Sequence, residues 1–225
     1  MSKSKQSATP WRRILAALAT VLVVTSAASA ADDDLSVNAR LLVAARDGDA
    51  ATLGNALRAG ASADSRNRLG ETALLIALKR NDLVIAKAML DAGTDVNLPA
   101  VNGVTPLMAA AYAGQVEMTE LLLAKGADMN ALDRIKKNAI IYAAGSGNTA
   151  IVRMLIAAGI DPNALYANDL TALMWAAGFG KTATAAALLD AGARADLKDN
   201  RGKTALDMAR DGNYLDTVRL LEATH

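Results

Sequence analysis

Residues 99–131, PAVNGVTPLMAAAYAGQVEMTELLLAKGADMNA, decide the fold. Asn102-Gly103 is a tight-turn dipeptide. Thr105 is placed to cap a helix, and Pro106 takes its first position, where the N–H that proline lacks would have no intrahelical partner. An Ala-rich helix then runs to Gly114, a terminator that tolerates positive φ. A second helix, expected over Val116 to Lys125, carries Leu121, Leu122 and Leu123 and stops at Gly126. The unit is turn, helix, turn, helix. Alone it has nothing against which to bury both apolar faces.

The same unit recurs. Thr72, Thr105, Thr171 and Thr204 fall on a 33-residue spacing, with Asn138 in the middle slot. Gly60, Gly93, Gly126, Gly159 and Gly192 keep that step. So do the terminators between helices, Gly48, Asn81, Gly114, Gly147, Gly180 and Asn213, Asn being the usual stand-in for Gly in the left-handed conformation. Asp64, Asn97, Asn130, Asn163 and Asp196 form a further row in the following turn. A fixed period of this length is the signature of a stacked repeat array.

Gly103-Val104-Thr105-Pro106-Leu107 with Ala109-Ala110, and Leu121-Leu122-Leu123 to Gly126-Ala127-Asp128, resembles the ankyrin repeat. The resemblance covers the chain from about residue 35 to its end. It implies an all-α solenoid of about six helix-turn-helix units with short hairpin tips. The units are an N-terminal cap over 35–65, full repeats over 66–98, 99–131, 132–164 and 165–197, and a C-terminal cap over 198–225. For function it implies a general binding scaffold and no more. One departure is systematic: the family's usual His after Thr-Pro-Leu is Leu75, Met108, Ile141, Met174 or Asp207 here. The hydrogen bond implied for that His is therefore expected to be missing, with apolar contacts between repeats in its place. Arg134-Ile135-Lys136-Lys137-Asn138 also lacks the turn Gly and the capping Thr, so a distorted hairpin is expected there.

The first thirty residues differ in kind. Lys3, Lys5, Arg12 and Arg13 make a basic start without an acid, and Ile14 to Val24 is an apolar run of 11 residues. Ala28-Ser29-Ala30 fits a small-x-small cleavage site, so residues 1–30 read as a secretory signal peptide cut after Ala30. The run is short of the roughly 20 apolar residues of a membrane span. No later stretch resembles one, so no span is expected after cleavage. The absence of Cys excludes disulfides and a lipid-modified N-terminal cysteine. The periplasm is the expected destination, with secretion as the other. Removing the leader leaves 20 basic against 23 acidic residues, a net charge of −3, which argues against nucleic acid as a partner.

Catalysis is hard to place. The one His is His225, and there is no Cys, which excludes thiol nucleophiles, Ser-His-Asp triads and the common zinc sites. Asp95, Asp128 and Asp161 recur once per unit and read as turn residues. No Gly-rich phosphate loop follows a strand pattern. No catalytic residue, cofactor or metal is assigned, and an enzyme working with carboxylates alone is the outlying alternative.

Binding residues are easier to nominate. Arg66 and Arg68, then Arg134, Lys136 and Lys137, then Lys198, Arg201 and Lys203 put basic clusters on every second hairpin tip. Asp64, Glu71, Asp133, Asp169 and Asp199 are interleaved, as on a mixed solvated surface. Outside the leader there are six aromatics: Tyr112, Tyr142, Tyr166, Trp175, Phe179 and Tyr214. Tyr142 and Trp175 each lie four residues after their capping slot, and the first five fall on three consecutive units. In the ankyrin family these slots lie on the concave face that touches partners. The candidate contacts are Tyr112, Tyr142, Tyr166, Trp175 and Phe179, with Arg134 and Lys137. For Tyr142 and Trp175 packing between units stays open as the other reading. The expected protein is monomeric, exported and non-catalytic, and binds a partner protein. Similarity to exported bacterial ankyrin proteins implies support of a stress-defence enzyme such as a catalase. The alternative is an inhibitor or immunity-type protein acting on an envelope enzyme or toxin.

Overall fold

The computed structural model describes residues 35–224; the leader expected over 1–30 and its cleavage site lie outside them. Eight helix starts are set by a side chain that accepts from the N–H three residues on: Ser36, Asp49, Thr72, Asp82, Thr105, Asn138, Thr171 and Thr204. Such caps supply partners for N–H groups that the helix leaves bare. Twelve α-helices result among the described residues, in six antiparallel pairs: α1 (Val37–Asp47) with α2 (Ala50–Arg58), α3 (Ala73–Lys79) with α4 (Leu83–Asp91), α5 (Pro106–Ala113) with α6 (Val116–Ala124), α7 (Ala139–Ser146) with α8 (Thr149–Ala157), α9 (Ala172–Gly178) with α10 (Thr182–Asp190), and α11 (Ala205–Asp211) with α12 (Leu215–Glu222). No strand occurs among these residues.

The reversal inside each pair falls on the row Gly48, Asn81, Gly114, Gly147, Gly180 and Asn213, with φ between 55° and 85°. At Gly114 the requirement is double. Its φ is +73°, and a Cβ there would lie 2.8 Å from Oδ1 of Asn148 in the next unit.

Odd-numbered helices stack on odd and even on even. Fully buried Leu74, Leu78, Ile140 and Leu173 fill the odd layer, and Ile85, Met89, Met118, Leu122, Ile151, Leu155 and Leu188 fill the even one. Ala110, Ala111, Ala143, Ala144, Ala176 and Ala177 have no exposed surface, which lets successive odd helices approach closely.

Polar ladders run along both sides of the stack. Oδ1 of Asp64, Asn97 and Asn163 accepts, at 2.8 Å, from the N–H of Asp95, Asp128 and Arg194, one unit on. On the other side Gln115 Nε2 donates to the Leu78 carbonyl and Asn148 Nδ2 to that of Ala111, both at 2.7 Å. Asp95, Asp128 and Asp161 accept from the N–H two residues on at 2.8–2.9 Å, the turn role expected of them.

Three expectations are corrected. First, the hairpin at 133–137 is not distorted. Its two backbone bonds, Asp133 N–H to Lys137 O and Lys136 N–H to Asp133 O, match those at 67–71, 100–104, 166–170 and 199–203. Lys136 takes φ +62° in place of Gly, and Asp133 Oδ1 holds the turn by accepting from the N–H of Ile135 and Lys137, both at 2.9 Å. The irregular hairpin is the next one, where Asn168 and Asp169 are both left-handed. Second, the acids on the tips are only partly a solvated set, Asp64 and Asp169 being exposed and the others not. Asp133 and Asp199 are buried inside their turns, Asp64 belongs to the ladder, and Glu71 pairs with Lys79. Third, the slot where the resemblance implies His is not apolar throughout. Met108 and Met174 sulfurs accept from the capping Thr N–H at 3.4 and 3.5 Å, and Asp207 Oδ2 accepts from Thr204 N–H at 2.9 Å.

Asp133 is thus a structural residue. Asp133→Ala strands the two turn N–H groups and a tyrosine hydroxyl, and should lower stability by about 1–3 kcal/mol in thermal or denaturant unfolding. A loss indistinguishable from zero would mean that water replaces the carboxylate at no cost.

Candidate partner-binding groove

Tyr112 lies in the last turn of α5 with 64% of its surface exposed. Its ring meets that of Tyr142 on α7 edge to face, with centroids 6.2 Å apart. The Tyr142 hydroxyl donates to Asp133 Oδ2 at 2.6 Å. Burial first, and Asp133 second, push its pKa far above the ordinary tyrosine value, so it stays a protonated donor. Trp175 on α9 and Phe179 just past the end of α9 are one helical turn apart and stack, with centroids 5.7 Å apart and planes inclined by 10°. Lys137, from the hairpin leading into α7, links the two aromatic pairs. Its Nζ lies 3.8 Å from the Trp175 ring centre and 5.9 Å from that of Tyr142.

These side chains wall an open groove of about 560 Å³ across α5, α7 and α9, with Gly145 in its floor and Lys181 at its edge. A smaller hollow of about 270 Å³ lies on the other side of Lys137 and Trp175, lined by Ile135, Tyr166 and Leu170 among others. The Tyr166 hydroxyl accepts from Asn138 Nδ2 at 2.9 Å, and burial raises its pKa. Of the sequence candidates, the structure therefore brings Tyr112, Tyr142, Trp175, Phe179 and Lys137 to one groove. It places Tyr166 in the adjoining hollow. Arg134 lines neither: it is exposed on its tip, where its N–H donates to the Asn102 carbonyl at 3.1 Å.

Sequence reasoning missed two residues. Lys181 stands 33 residues after Asn148 and 66 after Gln115, in the slot from which those amides reach back one unit. Its stem lies across Gly147, with Cδ 2.9 Å from where a Cβ would be. The departure from amide to Lys was the available signal. Asp133 was the other, visible as the partner of Asn67 and Asp199 at a spacing of 66 residues.

The family model described as ankyrin repeats, in three copies, matches residues 41–133 and 140–224. The chain belongs to the ankyrin repeat family. The six residues between the two matched stretches, 134–139, include the tip that has lost both turn Gly and capping Thr. Comparison with curated proteins finds no match. Ankyrin repeats are generally protein–protein interaction modules, and the family is typically non-catalytic. Among the described residues of this ankyrin array, no three His, Asp or Glu side chains converge as metal ligands, and no helix is long and apolar enough to cross a membrane.

Proposed function

We propose that this ankyrin array is an exported, monomeric scaffold that binds a partner protein in the groove across α5, α7 and α9. The observation that carries the reading is that four of six aromatics outside the leader converge there, with Tyr112 and Phe179 still 64% and 51% exposed. Rings left half in water on a rigid frame contribute little to folding and gain most when a partner covers them. Export follows from the reading of residues 1–30, and its destination is the periplasm. Support of a stress-defence enzyme there is the role that the resemblance favours.

The test is a photoreactive phenylalanine analogue placed at position 112 or 179, and for comparison at 125, in cells that make the protein. Adducts to one protein from 112 and 179, and none from 125, are the expected outcome. Equal labelling from all three would remove the groove as the contact surface. Export has its own readout: the N-terminus of the mature protein should be Ala31, or within a residue or two of it. An intact Met1 on the soluble cytoplasmic protein would end that part of the proposal.

A further inference from the structure

The charges around the groove specify its occupant further, granted the reading that it takes a protein. Three lysines among the described residues are half-buried: Lys137, Lys181 and Lys203. Lys203 is paired with Asp211, whereas Lys137 and Lys181, both at the groove, have no carboxylate partner. Among the exposed lysines of the described residues, Lys79 and Lys87 are paired with Glu71 and Glu117, and Lys125, Lys136 and Lys198 make no ion pair. What sets Lys137 and Lys181 apart is that they are half-buried without a counter-charge. No Asp or Glu lines the groove. The nearby acid, Asp133, is buried, with one oxygen accepting from the backbone N–H groups of Ile135 and Lys137 and the other from the Tyr142 hydroxyl, so it does not pair with the Lys137 ammonium. Lys137 is also held in place by the Trp175 face, so a guest carboxylate meets a cation that is already positioned.

We infer that the groove selects an acidic-aromatic segment: an Asp or Glu side chain set against Lys137 and Lys181, beside a Phe, Tyr, Trp or Leu lying on the Trp175–Phe179 stack. The half-buried cations are partly desolvated already, so pairing strengthens them at reduced cost, while a basic segment meets two like charges. Complementary charge chooses among partners, and the rings supply the contact area.

The experiment is selection of a phage-displayed random dodecapeptide library on the full protein, with Phe179→Ala as the groove control. The selected peptides are then measured by fluorescence anisotropy. Enrichment of Asp or Glu within two or three positions of an aromatic or Leu is expected. The best peptide should weaken at least about fivefold in Lys137→Gln/Lys181→Gln, and rising salt should weaken its binding to the parent more than to that variant. Both lysines line the open groove and neither belongs to the buried core, so the helix stack should be kept, which circular dichroism checks. Peptides that need Phe179 but show no acidic bias, and bind the lysine variant equally, would overturn this inference and leave the protein-binding reading standing. Failure to enrich any peptide that distinguishes Phe179→Ala from the parent would overturn both. Phenylacetate binding as tightly as the best peptide would overturn it in favour of a small-molecule site.

Discussion

Leu122→Ala is expected to cost about 2–5 kcal/mol of folding free energy, the range for emptying a fully buried leucine site. Leu122 sits on α6 with no exposed surface, in the even-helix layer between Met118 on its own helix and the neighbouring helix pairs. In a stack, each unit touches only its neighbours, so a cavity in the third pair weakens two interfaces and leaves the ends without a continuous middle. The denaturant transition should therefore move to lower concentration and also broaden, as the halves begin to unfold separately. Leu215→Ala makes the internal comparison: Leu215 is 62% exposed on the last helix, and its loss should change stability by no more than about 0.5 kcal/mol. A Leu122→Ala midpoint within error of the parent would show that the even layer is not the stabilising core.

The parts of this fold that sequence revealed are those decided locally. Capping Thr and Asn residues, the left-handed Gly and Asn row and the turn Asp residues act over three or four positions, so a 33-residue count places every helix after the first within a residue, and the first starts three residues early, at Val37. The 133–137 hairpin reads as distorted in the sequence because losing Gly and Thr looks like losing the turn. What holds it is Asp133, whose two N–H partners compensate for a left-handed Lys136. Slots that hold aromatics were countable from the caps, since residues 142 and 175 occupy equivalent places in successive units. Lys137 resting on Trp175 was not, because that contact depends on how far one unit is displaced against the next. Tyr166 shows the same limit: its hydroxyl is bound by the Asn138 amide, a donor that exists because Asn replaced Thr at that cap.

Trp175→Ala should separate stability from binding. The ring is half-buried: it packs against the core at one edge, stacks on Phe179 at 5.7 Å and carries Lys137 on its face. Removing it should cost about 1–2 kcal/mol of stability, short of the roughly 3–5 kcal/mol for a fully buried aromatic. Binding should suffer more, because the ring is the centre of the groove and both the stack and the cation position depend on it. A central hot-spot residue is worth about 2 kcal/mol or more, which is a loss of affinity of roughly thirtyfold or greater. The decisive measurement takes both readings on one preparation of Trp175→Ala: the denaturant midpoint, and the dissociation constant for the protein crosslinked from position 179. A small midpoint shift with affinity reduced thirtyfold or more is the predicted result. Unchanged affinity with a large fall in midpoint would contradict it, assigning Trp175 to the core and the partner to another face.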